Sequence, residues 1–584
     1  MISNEPGVRL AGHFERSREA LVGLLEKDTG WTDQDVDATA SILDNVAYWI
    51  LYLESNHQHI QFDDLQTWRG YFFEDQTTLS RLRRRLVSAA VNGRTAVLRD
   101  RLLRRAELAL SPEYSRLQHE LSLAYERLGA LTAQAEERQS ALAQRLGFDS
   151  RGSRPAVVAY MGLRRVASAQ RRAQVHQAFV AARDETLAEA CGVVDRIAVL
   201  HRGLATLKGV DTPLQASLAG SSVAEDVAAA FIDDYLRVAL TDTGELTAEI
   251  SEALGETVSP PLDAHFGRYL AHLAGGRSTI YLPFQGCITM ASDVASRLFG
   301  VTCSTLSVEQ NETVLVVVAD REGRELGRIQ INLQGGARSS LTPNLTISAH
   351  DLPLEEAGIS VPIAMISCRF SGRGRARVLN LQNVHSLLHE FGHAVNHVLL
   401  THRVGSPSGL DHLPIERVEL MSMWFERWAF SEDLADHCAL SSPKRADFAL
   451  AVKVKGLEYR LSQLERGALA GVDLLVNGSS SLPVRIAHEQ LCEQHPGLRE
   501  HVALGDLIAY QSWPMLREKP GAYFSYLWAA AESAALNMSA VEGDLASVAT
   551  SLMACLDPSV PSPTVPAMAA VKYYRQSRFA AAVG

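Results

Sequence analysis

Apolar residues recur at three- and four-residue steps through most of the first 210 residues. The clearest stripe runs from Leu117 to Leu131, with glutamate, glutamine and arginine between its apolar positions. This spacing places the apolar side chains on one face of a helix, so we predict a packed helical region over residues 1–210. A dimerising coiled coil is the alternative, but Gly147, Gly152 and Pro155 end the longest stripe. Similar stripes cover residues 15–26, 35–53, 78–108 and 170–208.

Short β-rich segments replace the helical pattern from about residue 278 to residue 370. The candidate strands are Thr279–Phe284, Thr313–Ala319, Arg328–Leu333 and Val361–Ser367. A helix-like stretch, Met290–Phe299, separates the first two strands, and Asp320–Gly323 has the composition of a hairpin turn between the second and third. We therefore predict a small sheet within the region 211–584, followed by helices from residue 380 onward.

Charge and composition narrow the class of protein. The 584 residues carry 56 basic and 67 acidic side chains, which gives a formal net charge of −11. This balance argues against nucleic acid or an anionic membrane as the main partner. The seven cysteines never form Cys-x-x-Cys, which is typical of reduced thiols rather than of a disulfide scaffold. The first residues lack the apolar segment of a signal peptide, and no apolar run is long enough to span a membrane, so we expect a cytoplasmic protein.

The segment Val384–Leu400 contains the pattern HExxH, formed by His389, Glu390 and His393. Residues four apart lie on one face of a helix, so both imidazoles can reach a single metal ion. Glu390 then lies beside the metal, where its carboxylate can accept a proton from a bound water. The flanking residues are largely apolar, as a buried active-site helix requires.

A third metal ligand has to come from a second element, because a catalytic zinc takes three protein ligands and leaves one position open. The segment Ile415–Phe430 is a second candidate helix and carries Glu416, Glu419 and Glu426. Glu419 and Glu426 are seven residues apart and share a helix face, and Glu416 neighbours Glu419 on that face. Residue spacing alone leaves all three glutamates open as the ligand.

Five segments of the chain carry a resemblance to a known family. They are VVVADREGRELGRIQINL at 316–333, VPIAMISCRF at 361–370, LLHEFGHAVNH at 387–397, SGLDHLPIERVELMSMWFERW at 408–428 and YFSYLW at 523–528. In this order they resemble the M3 family of zinc metallopeptidases, which includes thimet oligopeptidase, oligoendopeptidase F and mitochondrial intermediate peptidase. The resemblance covers residues from about 190 to 530. The part before it is similar only in being helical.

The resemblance implies a mainly α-helical, two-lobed zincin-type metallopeptidase with a deep substrate channel. A small β-sheet would lie beside the HExxH helix, and that helix would span about residues 381–400. It also implies one Zn²⁺ per chain, held by His389, His393 and Glu419, with Glu390 as the general base. Glu426 would then support a ligand rather than bind the metal.

The same resemblance assigns roles to two tyrosines and leaves a third histidine aside. Tyr526 and Tyr523 match the family's tyrosines that stabilise the oxyanion, although tyrosines three residues apart are also typical of ordinary helix core. Histidines at 385, 389 and 393 would suit a three-histidine metal site. The family pattern assigns His389 and His393, so we interpret His385 as a neighbour of the ligands or a buried side chain.

The chain departs from the family in the segment before the tyrosines. Family members usually carry a histidine there, but Ser512–Gly521 contains none, and Arg517 or Lys519 are the candidate replacements. We expect a cytoplasmic zinc-dependent endopeptidase that cuts short or unstructured peptides. The alternatives are a peptidase dedicated to one peptide, such as a leader, and a family member that binds peptides without cutting them. A helical scaffold with a chance HExxH would bind no metal. The oligomeric state is not predicted.

Overall fold

The structure is a computed structural model whose elements are mostly helices. It describes the chain apart from residues 1–5, 57–61, 149–161, 276–279, 309–312, 334–344, 351–360, 369, 371–376, 400–412, 542–544, 556–566 and 572–584. Residues 408–412, which contribute to the family resemblance, lie outside the described residues. No helix in the described ranges combines the length and the low polarity that a membrane span needs.

The described helices and strands have the following bounds. The α-helices are Pro6–Glu26, Asp33–Asn56, Phe62–Arg69, Gln76–Ser88, Gly93–Ala109, Pro112–Arg145, Ala169–Asp184, Leu187–Leu207, Pro213–Ser217, Glu225–Leu254, Asp263–Ala274, Phe284–Phe299, Leu381–Leu399, Leu420–Glu426, Glu432–His437, Ser442–Asn477, Val484–Gln494, Leu498–His501, Leu504–Tyr510, Pro514–Glu518, Phe524–Val541, Leu545–Cys555 and Ala567–Val571. A π-helical turn spans Gly70–Glu74, and 3₁₀ turns span Ile415–Arg417 and Arg427–Phe430. The strands are β1 (Tyr281–Pro283), β2 (Thr302–Val308), β3 (Thr313–Ala319), β4 (Glu325–Asn332), β5 (Leu345–His350), β6 (Pro362–Ser367) and β7 (Val378–Asn380).

The helical stripes of the first 210 residues are divided among separate hydrophobic cores. An N-terminal core gathers apolar side chains from Phe14 to Ala106. The stripe from Leu117 to Leu131 is buried as predicted, but it packs in a second core, the helical core, with residues 190–239 and 459–571. Ser111 caps its helix through its side chain. A domain division at residue 210 stays a prediction, since the helical core joins residues on both sides of it.

A third core, the sheet core, lies under the small sheet. It combines residues from the strands with the helix Leu381–Leu399, here called the motif helix, and with the helix Leu420–Glu426, here called the acidic helix. The motif helix packs directly on β4 and β6. The prediction of a mainly helical protein with a small sheet beside the HExxH helix is therefore confirmed.

The sheet contains more strands than the sequence pattern predicted. Its order is β2-β3-β4-β6-β5, and β4 pairs with β6 in parallel, whereas the other neighbours are antiparallel. The predicted hairpin turn at Asp320–Gly323 is confirmed, because it joins β3 to β4 with Gly323 at φ +82°. The strands β2, β5 and β7 were missed. β2 (TCSTLSV) alternates small polar and apolar residues at an edge of the sheet, so its apolar signal is weak.

The predicted first strand has a different partner from the one expected. Within the predicted range, only Tyr281–Pro283 is a strand, and it pairs with β7 in a separate two-stranded sheet. Thr279 lies outside the described residues, and Phe284 already begins the helix Phe284–Phe299. The predicted helix Met290–Phe299 is confirmed but begins six residues earlier, because Pro283 ends the strand directly before it.

The predicted continuous helix Ile415–Phe430 is wrong. The segment forms a 3₁₀ turn, then the acidic helix, then a second 3₁₀ turn. Glu419 lies between the first turn and the acidic helix, at φ −90° and ψ −2°. Glu416 lies within the 3₁₀ turn and Glu419 follows it, so the two glutamates do not belong to one regular helix.

A glycine allows the motif helix and the acidic helix to approach closely. A Cβ built on Gly392 would lie 2.7 Å from Ser422 Cα and 2.8 Å from the backbone oxygen of Met421. Real Cβ atoms do not approach other atoms so closely, and both contacts are with backbone that cannot rotate away. Gly392 therefore sets the distance between the helix that carries the two histidines and the helix that follows Glu419.

We expect Gly392→Ala to lower the free energy of unfolding by about 1–3 kcal/mol, because the two helices must separate to accept the methyl group. Urea unfolding followed by circular dichroism measures the change. The matched control is Gly129→Ala in the helix Pro112–Arg145, where a Cβ meets nothing within 4 Å. That variant should be unchanged or slightly more stable. Equal unfolding midpoints for the two variants would contradict a constraint at Gly392.

Candidate metal centre

The motif helix presents two histidines on the face opposite its buried apolar side. Leu387, Leu388 and Phe391 are fully buried in the sheet core. His389 and His393 are one helical turn apart, and their ring centroids are 4.8 Å from each other. The local periodicity of the sequence is enough to place both imidazoles side by side.

Glu419 completes a cluster with the two histidines. Its Oε2 atom lies 3.2 Å from Nε2 of His389 and 3.1 Å from Nε2 of His393. One ligand atom from each of the three residues lies within 4.8 Å of the others, so the cluster can hold a metal ion. Ser422 donates a hydrogen bond of 3.0 Å to the same Oε2 atom and fixes the carboxylate.

Glu426 orients His389 from the other side of the imidazole ring. Its Oε2 atom lies 2.7 Å from Nδ1 of His389, and its Oε1 atom lies 3.3 Å from Nε2 of His385. A carboxylate at Nδ1 favours the proton on that nitrogen and leaves the lone pair of Nε2 free for a metal. His385 thus contacts Glu426, as expected for a neighbour of the ligands.

The charges of this cluster suit a bound cation. Burial alone would raise the pKa of Glu419, but His393 and His389 outweigh burial and hold that pKa well below its usual value. Burial likewise opposes ionisation of Glu426, yet His385 and His389 lower its pKa. The imidazoles supply the positive charge that these buried carboxylates require, and a divalent ion held by His389, His393 and Glu419 would supply it in their place. The donor set of two imidazoles and one carboxylate is one that zinc accepts.

Glu416 points to a different part of the molecule. The side chain is fully buried, and its carboxylate accepts hydrogen bonds from Ser221 Oγ at 2.7 Å and from the backbone N–H and hydroxyl of Ser222 at 3.2 Å. These bonds connect the segment before Glu419 to Ser221 and Ser222, which directly precede Val223 of the helical core. Of the three glutamates left open by spacing, the structure brings Glu419 and Glu426 to the histidines and separates Glu416 from them.

Glu390 is buried on the motif helix, next in sequence to His389. It is only 9% exposed, and its charge contributes to the pKa of residues on two sides. Burial raises the pKa of Cys368, at the end of β6, and the charge of Glu390 adds to this rise. The same charge contributes to the raised pKa of Tyr526. Glu390 is therefore close to both the end of β6 and the tyrosine.

The two tyrosines of the YFSYLW segment differ in what they contact. Burial raises the pKa of Tyr526 well above its usual value, and the nearby carboxylate of Glu419 raises it further. The ring of Tyr523 packs on that of Tyr526 with centroids 5.5 Å apart. Burial also raises the pKa of Tyr523, whose charged neighbours are Arg466 and Glu465 rather than Glu419.

Neither candidate replacement for the family histidine contacts the cluster in the described interactions. The guanidinium of Arg517 lies over the ring of Tyr125, 5.0 Å from its centroid. Burial lowers the pKa of Lys208, and the nearby charge of Lys519 lowers it further.

Sequence reasoning missed Ser422, although its position three residues after Glu419 is a local signal for a side chain that can reach that carboxylate.

A comparison with known families identifies this part of the chain. The sequence model described as Peptidase family M3 matches residues 163–446, a range that contains the whole cluster. This segment belongs to peptidase family M3. The resemblance read from the motifs is thereby confirmed for the M3 segment.

Curated proteins similar to this chain are named oligopeptidase A. Oligopeptidase A of Salmonella typhimurium is 23% identical over 299 residues, which are 47% of this chain and 44% of the relative. Oligopeptidase A of Haemophilus influenzae is 30% identical over 122 residues, which are 19% of this chain and 18% of the relative. Each alignment therefore spans less than half the length of the relative.

Solved structures extend the likeness of fold to nearly the whole chain. A crystal structure designated oligoendopeptidase F has a TM-score of 0.56 at 13% identity and covers 98% of this chain and 94% of its own. PZ peptidase A, solved with an inhibitor, has a TM-score of 0.55 at 12% identity and covers 99% and 95%. The predicted helical fold of an M3 peptidase is confirmed.

The three glutamates can be separated by their effect on metal affinity. We expect Glu419→Gln to weaken zinc binding by more than about a hundred-fold and Glu426→Gln by about ten- to hundred-fold, because the first removes a ligand and the second only its support. Glu416→Gln is the matched control and should bind zinc like the unmodified protein. Competition with a chromophoric chelator measures all three affinities. Weaker binding in Glu426→Gln than in Glu419→Gln would reverse the ligand assignment.

Proposed function

We propose that this protein is a zinc-dependent endopeptidase that hydrolyses short or unstructured peptides. The observation that carries the proposal is the cluster of His389, His393 and Glu419, with the tautomer of His389 set by Glu426. It lies in an M3 segment whose curated relatives are oligopeptidases. A cytoplasmic location stays a prediction.

The three residues would hold one zinc ion and leave a fourth position for water or substrate. The ion would supply Lewis acidity for the scissile carbonyl and a lower pKa for bound water. The protein contributes the orientation of its donors. Glu426 aims the imidazole of His389, and Ser422 aims the carboxylate of Glu419.

Glu390 acts as the general base in this proposal. Its carboxylate accepts a proton from the attacking water as the oxygen bonds to the carbonyl carbon of the peptide. The same carboxyl then gives that proton to the departing amine nitrogen as the C–N bond breaks. Its low exposure keeps competing water away from the carboxylate, which strengthens its interaction with the reacting groups.

Tyr526 provides a hydrogen-bond donor for the oxyanion that forms at the carbonyl oxygen. Its interaction with Glu419 places the side chain near the cluster. The raised pKa keeps the phenol protonated and able to donate at neutral pH. Tyr523 stays a prediction as a second donor, because its charged neighbours lie away from the cluster.

A cleavage screen tests the proposed function. Purified, zinc-loaded protein is incubated with a mixture of unstructured peptides of about 5 to 30 residues, and the products are identified by mass spectrometry. Many cuts that disappear after chelator treatment would support a general oligopeptidase. Cleavage of a single peptide would instead indicate a dedicated processing enzyme. No cleavage by zinc-loaded protein would contradict the peptidase and leave a peptide-binding protein.

We expect Glu390→Gln to lower kcat by at least about a thousand-fold while zinc content stays at that of the unmodified protein. The amide retains the size of the side chain but cannot accept the proton from water. Zinc is measured by atomic emission on the same preparation that is assayed. Undiminished turnover would exclude Glu390 as the base, and loss of zinc would show that the substitution disturbs the metal centre instead.

A further inference from the structure

The helix Phe524–Val541, here called the tyrosine helix, begins at a turn that a buried aspartate holds. Asp473 is 2% exposed and lies on the long helix Ser442–Asn477. Its Oδ1 atom accepts a hydrogen bond from the backbone N–H of Gly521 at 2.9 Å, and its Oδ2 atom accepts one from the N–H of Tyr523 at 3.1 Å. Asn477 donates to Oδ1 at 2.9 Å and keeps the carboxylate in place.

The opposite side of the same turn is held by the helix Pro213–Ser217. Ser217 donates a hydrogen bond of 2.9 Å to the backbone oxygen of Pro520. Gly521 has φ +85°, and a Cβ on it would lie 2.9 Å from Cβ of Leu214. This backbone conformation favours glycine, and the Cβ atoms of Leu214 and Asn477 lie close to Gly521. The turn therefore has little room to shift.

Asp473 also suits the electrostatics of a helix start. A negative charge beside the first N–H groups of a helix interacts favourably with the helix dipole. Burial raises the pKa of Asp473 to about 6, whereas the N–H groups of Gly521 and Tyr523 favour its ionised form. Both carboxylate oxygens accept a backbone N–H, an arrangement that a protonated carboxyl would have to break at one oxygen.

The turn leads directly to the side chain that meets the metal centre. The tyrosine helix packs on the acidic helix, and Tyr526, three residues beyond Tyr523, lies close enough to Glu419 for the two side chains to interact. Any rotation or translation of the first turn of the tyrosine helix therefore moves this hydroxyl relative to Glu419. Displacements of about 1 Å are enough to impair a catalytic group by a hundred-fold.

We propose that Asp473 is a positioning residue that holds the Tyr526 hydroxyl at Glu419 by anchoring the turn at Gly521–Tyr523. In its catalytic consequence, this inference rests on the proposed function. The anchoring of the turn itself can be measured by amide hydrogen exchange, without any measurement of peptide cleavage.

Hydrogen exchange tests the anchor directly. We expect Asp473→Asn to speed amide exchange in the segment 519–530 by about ten-fold or more, because the amide replaces one acceptor with a donor that faces a backbone N–H. The matched control is Asp195→Asn: Asp195 accepts a 2.7 Å hydrogen bond from Val484 N–H at the start of the helix Val484–Gln494. It should change exchange near residue 484 and leave 519–530 as in the unmodified protein. Unchanged exchange at 519–530 in Asp473→Asn would overturn the proposal.

Kinetics test whether the anchor acts through Tyr526. We expect Asp473→Asn to lower kcat by about ten-fold with KM changed less than about two-fold, and Asp195→Asn to change neither. In the Tyr526→Phe background, Asp473→Asn should lower kcat less than about two-fold further, since the hydroxyl it positions is already gone. If the loss of kcat in the double variant equals the product of the losses in the two single variants, Asp473 does not act through Tyr526 and the proposal is overturned.

Two outcomes require a further measurement: an Asp473→Asn variant that does not fold, and an unmodified protein that cleaves no peptide. If Asp473→Asn does not fold, judged by circular dichroism, Asn477→Ala loosens the same carboxylate without removing it and should show the same exchange and kcat changes in weaker form. Normal exchange and kcat in that variant would then count against the anchor. If the unmodified protein cleaves no peptide, the proposed function fails, and exchange at 519–530 alone decides whether Asp473 holds the turn.

Discussion

The structure depends on the pairing of buried carboxylates with imidazoles. Glu419 and Glu426 are removed from water, and each would be strongly destabilising without a partner. The histidines 385, 389 and 393 of the motif helix supply those partners. Because imidazole and carboxylate must meet at hydrogen-bond distance, the motif helix and the acidic helix have to pack in one register. The same arrangement presents two nitrogen atoms and one oxygen atom to a cation.

Close packing makes that register possible. Gly392 lets the backbone of the motif helix approach Ser422 and Met421 directly, which shortens the distance across which Glu419 must reach. Glu416, in the 3₁₀ turn before the acidic helix, binds Ser221 and Ser222 instead of the histidines. The buried carboxylates of the segment thus have partners in two different parts of the chain.

The candidate site lies where two hydrophobic cores meet. The histidines come from a helix of the sheet core, whereas Tyr523 is part of the helical core and Tyr526 packs against it. A group at such a junction is only as well placed as the elements that hold it. Asp473 and Ser217 hold the start of the tyrosine helix within the helical core, so the geometry at Glu419 reflects contacts made far from the histidines.

The sequence by itself determined what depends on local periodicity. The apolar stripes predicted helices, the strands β3, β4 and β6 followed from their β-rich composition between turns, and the four-residue spacing of His389 and His393 placed both imidazoles on one face. The motif pattern, read as a family resemblance, also led to Glu419, although spacing alone left three glutamates open.

Tertiary structure decided what depends on partners distant in sequence. The short strand β7 and the edge strand β2 carry little apolar signal of their own and exist because β1 and β3 pair with them. Glu416 and Glu419 differ in their partners, because the fold brings Ser221 and Ser222 to the first and the two histidines to the second. The anchoring of the tyrosine helix by Asp473 joins residues 48 and 50 positions apart, and no local pattern encodes such a contact, because a buried carboxylate takes whichever N–H groups the fold brings to it.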